Sequence, residues 1–126
     1  MKSSRSATIR LVIVMAVGFM LPSLVQAHAK LEKTQPADGT TVSVPPPQIQ
    51  LSFDEEVDVK VSKIEVTGPS GKVAVGPARL MGPKSLVAKV TGSMPDAAYT
   101  VRWQTAAADD GHVSKGVFKF TLKQAH

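Results

Sequence analysis

Residues 98–105 read AYTVRWQT, and their alternation decides the fold class. In an extended chain, successive side chains point to opposite faces. Tyr99, Val101 and Trp103 therefore share one face, with Thr100 and Arg102 on the other. The same period of two recurs outward from this stretch. Residues 116–122 (GVFKFTL) set Phe118, Phe120 and Leu122 against Lys119 and Thr121, with Val117 interrupting the polar side. Residues 48–53 (QIQLSF) align Ile49, Leu51 and Phe53. Shorter alternating pieces lie at 29–34, 57–66, 72–75 and 85–90, and Gly68-Pro69-Ser70-Gly71 reads as a turn. No apolar stripe of helical period appears. The pattern predicts an all-β domain: an Ig-like antiparallel sandwich or Greek-key barrel of about seven strands. Pro45-Pro46-Pro47 and residues 76–83 read as irregular connections. The aromatics Tyr99, Trp103, Phe53, Phe118 and Phe120 are expected in the core. Composition alone reads Asp54-Glu55-Glu56-Val57-Asp58 as a solvated loop.

The chain begins differently. Lys2, Arg5 and Arg10 precede an apolar run from Leu11 to Leu21, and Pro22 and Ser23 end it. Val25 and Ala27 then supply small residues three and one before a cut. This order reads as a secretory signal peptide over 1–27. The run is shorter than the roughly 20 residues of a spanning helix. The expected mature chain is a single domain over 28–126, located in the periplasm.

Removing the leader changes the charge argument. The whole chain is +5, with 15 Lys and Arg against 10 Asp and Glu. Three of those bases lie in the leader, so residues 28–126 carry 12 against 10, a net of +2. That balance gives no case for nucleic acid as a partner. The chain holds no cysteine, which excludes thiolate metal sites and disulfides. Only Met81 and Met94 follow residue 27.

Cleavage after Ala27 makes His28 the first residue. Its free amine and its imidazole then form a ready chelate for a divalent metal. The amine's ordinary pKa is about 7.7–8.0, so a metal can displace its proton near neutral pH. Far downstream, Asp110 stands two residues before His112, with Gly111 between them. In extended chain such a pair points to one side, so a carboxylate and an imidazole converge. Three nitrogens and a carboxylate oxygen suit tetragonal Cu(II), and Zn(II) stays open on donor type. Cu(I) prefers sulfur, and calcium needs more oxygen ligands. His126, beyond the final strand, reads as a tail residue.

These residues together resemble the CopC family of periplasmic copper-binding, copper-resistance proteins. The resemblance rests on the leader followed directly by His28, Pro36-Ala37-Asp38-Gly39, Leu51-Ser52-Phe53-Asp54-Glu55, Tyr99-Thr100-Val101-Arg102-Trp103, and Asp110-Gly111-His112 with Gly116 and Phe118 after it. It implies one Cu(II) per chain, held by the amine and imidazole of His28 and by Asp110 and His112. It places a glutamate beside the metal, matched by Glu55 with Glu56 as the neighbouring alternative. It also implies an inner-membrane copper transporter as a partner. Some members carry a Met-rich loop for Cu(I); here residues 67–85 hold only Met81, so a Cu(II)-only form is implied. The spacing from Trp103 to Asp110 is one residue longer than in many relatives, with Asp109 as the extra. Asp110 keeps the two-residue spacing to His112 and is preferred.

The expected function is therefore a monomeric copper carrier or scavenger for resistance or homeostasis, and not an enzyme. Two alternatives stand beside it. An N-terminal histidine on a β-sandwich also resembles the copper brace of polysaccharide monooxygenases. An Ig-like structural module with incidental histidines is the third reading.

Overall fold

The computed structural model describes residues 29–125. Nine strands run in chain order: β1 (Leu31–Gln35), β2 (Thr41–Val42), β3 (Gln48–Phe53), β4 (Lys63–Gly68), β5 (Gly71–Val73), β6 (Arg79–Gly82), β7 (Ser85–Lys89), β8 (Ala97–Ala106) and β9 (Val113–Leu122). A single 3-10 turn spans Val59–Val61. The strands form a four-stranded sheet in the order β1-β3-β7-β6 and a five-stranded sheet in the order β2-β9-β8-β4-β5. The all-β sandwich expected from the alternation is the observed architecture.

Alternation makes these strands two-faced, and burial of the apolar faces brings the sheets together. Ile49, Leu51 and Phe53 from β3 and Leu86 and Ala88 from β7 meet Ile64, Val66, Tyr99, Val101, Trp103, Phe118, Phe120 and Leu122 of the other sheet. The ring of Phe53 meets Trp103 edge-on with centroids 5.3 Å apart, and Tyr99 stacks on Phe120 at 5.5 Å. The five aromatics named from sequence are all buried. Opposite Trp103 in the β8–β9 register stands Gly116. A Cβ at Gly116 would lie 2.7 Å from Trp103 Cζ2, so only glycine admits the indole here. Tyr99 donates its hydroxyl hydrogen to the carbonyl of Pro95, four residues upstream. This corner ties the start of β8 to the loop before it, as in Greek-key sandwiches.

Two strands differ from the sequence expectation. Residues 76–83, read as an irregular connection, contain β6. All four of its residues are exposed, so no burial pattern marks it. It exists because β7 offers a free edge, pairing Arg79 with Val87 and Leu80 with Leu86. The two-residue β2 pairs in parallel with β9 (Thr41 with Thr121, Val42 with Leu122), a contact fixed by tertiary placement. Boundaries also shift. The stretch 57–66 divides into the 3-10 turn and β4, and the first strand begins at Leu31 rather than Ala29.

The acidic segment Asp54–Asp58 is no solvated loop. It crosses from one sheet to the other and is stitched to both sides. Phe53 N donates to the Lys84 carbonyl (2.8 Å) and Val57 N to the Pro83 carbonyl (3.1 Å). Asp58 N donates to the Ala106 carbonyl (2.9 Å), and Ala108 N donates back to the Glu56 carbonyl (2.9 Å). Val57 is buried and forms a bridge with Ala107. The backbone polar groups of a crossover must find partners, and here both sheet ends supply them. The result gathers three segments at one end of the sandwich: Ala29–Lys30, Asp54–Asp58 and Ala107–His112.

Candidate metal centre

The strands β8 and β9 are paired over ten positions, from Ala97 with Leu122 to Ala106 with Val113. The loop between them, 107–112, is therefore held at a rigid base. Ala106 and Ala107 are buried, which anchors its first turn. Beneath it, the fully buried Thr105 hydroxyl lies 2.7 Å from Ser62 Oγ, and Ser62 donates to the Asp58 carbonyl at 2.8 Å. Ser62 has one hydroxyl hydrogen, so it accepts from Thr105. The loop closes on itself: Ala107 N donates to the His112 carbonyl and Gly111 N to the Ala107 carbonyl, both at 3.0 Å. Gly111 takes φ +73°, the left-handed region that glycine enters without cost.

Asp110 and His112 meet, but across a turn at the left-handed Gly111 and not along the extended chain that the spacing argument expects. One carboxylate oxygen, Oδ1, accepts the His112 backbone N–H at 3.0 Å. The other, Oδ2, lies 3.0 Å from the ring nitrogen Nδ1. The two side chains converge on each other. These bonds to His112, the backbone one first, hold the Asp110 carboxyl below the usual carboxylate range. A charged carboxylate on Nδ1 selects the tautomer that carries its hydrogen there, which assigns metal-binding capacity to Nε2. Both side chains lie at the surface.

Glu55 lies apart from that pair. It lines a neighbouring depression of about 470 Å³ with Asp54, Glu56, Lys84, Ala108 and Asp109. Asp109 thus faces the acidic crossover, while Asp110 turns to His112. Among the described residues, no three metal-ligating side chains come together. His28 and His126 lie outside the described residues. Sequence reasoning missed the residue that fixes the start of the described chain. Lys30 N donates to Asp54 Oδ1 (2.8 Å), and Asp54 N donates to the Lys30 carbonyl (3.0 Å). Ala29, the residue after His28, is buried in the core. The signal for this clamp was the Asp at the end of the β3 run, which composition reads only as solvated charge.

A sequence model of the CopC domain matches residues 31–123. The chain belongs to the CopC family. Copper resistance protein C of Escherichia coli is 32% identical over 120 residues, covering 88% of this chain and 90% of that one. Copper transport protein CutJ of Bacillus subtilis is 26% identical over 108 residues, which is 83% of this chain and 20% of that longer protein. The crystal structure of PcoC, a methionine-rich copper resistance protein from Escherichia coli, superposes with a TM-score of 0.69 at 32% identity, covering 77% of this chain and all of that one. This CopC-family chain departs from that description, with only Met81 and Met94 after residue 27.

Proposed function

We propose that this CopC-family chain is exported, cut after Ala27, and binds one Cu(II) as cargo in the periplasm. The donors are the amine and imidazole of His28 together with His112 and Asp110, and the family resemblance adds Glu55 beside the metal. The observation that carries this reading is the anchoring of Ala29 and Lys30 at the end of the sandwich that holds the Asp110–His112 pair. The proposed site requires the residue bonded to Ala29 to reach that end. The donor chemistry fits: His112 binds through Nε2 while Asp110 holds Nδ1, an arrangement that orients an imidazole toward a metal. In that arrangement the carboxylate lies across the ring from the ion, so Asp110 becomes a ligand itself only by leaving Nδ1 for the metal.

The role is sequestration or carriage for copper resistance or homeostasis, by a monomer that is not an enzyme. Similarity to part of a copper transport protein supports a copper transporter, here placed in the inner membrane, as the partner. The test is a Cu(II) titration of residues 28–126, with electron paramagnetic resonance, beside the same protein with one glycine added before His28. One tight equivalent with a nitrogen-rich tetragonal signal is expected, altered and weakened by the glycine. Equal affinity in both proteins would overturn the terminal chelate. Polysaccharide oxidation by the copper-loaded protein with added reductant would instead establish an enzyme.

A further inference from the structure

The net charge of residues 28–126 conceals a strong segregation. Six of the ten acids stand at the site end: Asp54, Glu55, Glu56, Asp58, Asp109 and Asp110. Lys30 and Lys84 stand with them, and five of the other ten bases share one sheet face. On the five-stranded sheet the outward positions alternate with the buried ones, and register places them in rows. Lys63, Gln104 and Lys115 form one row across β4, β8 and β9. Glu65, Arg102 and Val117 form the next, and Thr67, Thr100 and Lys119 the third, with Lys72 of β5 opposite Thr67. All five bases are exposed. The one acid among them, Glu65, reaches Lys72 at 3.5 Å and stands opposite Arg102. These rows are net +4, and the Asp38 carboxylate, which accepts the Lys119 backbone N–H at 3.1 Å at their edge, lowers the face to +3. Val113 and Val117 lie between the bases with about half their surface open.

We propose that this face docks on an anionic lipid bilayer. Charge complementarity selects an anionic surface, and the composition of the face selects lipid over protein. Cores of protein interfaces are depleted of lysine and rich in aromatic residues and methionine. This face carries four lysines to one arginine and no methionine, and Trp103, the aromatic that reaches it, is buried beneath Gly116. An open depression of about 360 Å³ lies between β4, β8 and β9. Lysines on flexible stems over a shallow sheet match mobile headgroups, which need no fixed counterpart. Neighbouring strands are about 4.8 Å apart and alternate residues about 6.7 Å apart, so adjacent bases act within one Debye length at 0.1 M salt, about 10 Å. Basic residues beside an anionic leaflet add their attractions. The acidic end is repelled by the same surface, so the 107–112 loop, which joins β8 to β9 at the rim of this face, stays open. The inference stands independently of the copper reading.

The test is flotation of residues 28–126, which contain the whole described fold, with vesicles of phosphatidylcholine alone or with added phosphatidylglycerol. Binding is expected only with phosphatidylglycerol, at about 0.01 M salt and not at about 1 M, where the Debye length falls to about 3 Å. The double substitution Lys115→Glu and Lys119→Glu is expected to weaken it at least about tenfold. These residues face Gln104 and Thr100, so folding is expected to persist, checked by circular dichroism melting. Lys89→Glu, on the outward face of the other sheet opposite Gln48, is the control and is expected to bind as the parent does. No binding at low salt, or equal loss in the control, would overturn the proposal. So would capture by soluble poly-glutamate through Lys115 and Lys119 while anionic vesicles are ignored; that outcome would mark an acidic protein as the occupant.

Discussion

Asp110 holds the backbone N–H and the ring of His112 with its two oxygens, and both bonds are stronger when the carboxylate is charged. Its folded pKa lies below its ordinary value. A depressed acid contributes stability above its unfolded pKa, about 3.9, and loses that contribution as pH falls through the folded value. In metal-free protein, Asp110→Asn is therefore expected to lower the melting temperature at pH 7. The deficit should shrink toward zero below about pH 3, where the parent carboxyl is also neutral. A deficit constant across that range would mean the charge is irrelevant to the loop. At the same scale, His112→Ala is expected to weaken Cu(II) binding by at least about tenfold, the range lost with metal-shell partners, whereas His126→Ala leaves it unchanged. Calorimetric titration of the two variants distinguishes a loop ligand from a tail histidine.

At the scale of elements, the β8–β9 hairpin is the frame of the molecule. It supplies Tyr99, Trp103, Phe118 and Phe120 to the core and ends in the 107–112 loop. Its tightest point is Gly116 against Trp103. Gly116→Ala is expected to cost about 1–3 kcal/mol in urea denaturation, because the indole cannot retreat from a packed core without strain. Removing the clamp at the other contributing element is expected to act locally. Asp54→Ala frees the Lys30 N–H at the surface and costs about 1 kcal/mol or less in global stability. It should still raise amide exchange at Lys30 and weaken Cu(II) binding, because the segment leading to His28 loses its tether. Unchanged copper affinity in this variant would mean that the segment is placed by Ala29 alone.

At the scale of the whole molecule, folding and copper binding are linked if the donors come from segments distant in sequence. A ligand at 100 times its Kd stabilises the folded state by about 2.7 kcal/mol. In a domain of about 100 residues, each kcal/mol moves Tm by about 4–8 °C. Cu(II) in that excess is therefore expected to raise Tm by about 10 °C or more, and an extra glycine before His28 should remove most of the rise. An equal rise in both proteins would point to copper bound elsewhere.

The strands β3, β8 and β9 were legible because each buries one face of a two-residue alternation against a single core. The aromatic core followed from the same pattern, and the family from an ordered set of short motifs. The nearness of Asp110 and His112 was legible from their spacing but its form was not, since Gly111 turns the chain at positive φ where extended backbone is expected. Strand β6 was not, because an element exposed on every residue carries no burial pattern. The Asp54–Lys30 clamp and the stitched crossover were not, because their bonds join segments 24 or more residues apart. The cationic face was equally hidden, its bases being scattered over four strands of a nearly neutral chain. Sequence alone was enough to tell which strand faces are apolar, since that depends on side-chain type and local spacing. Only the tertiary structure decided what meets at the end of the sandwich and what lines its open face, because strand order and register are fixed by packing the whole chain at once.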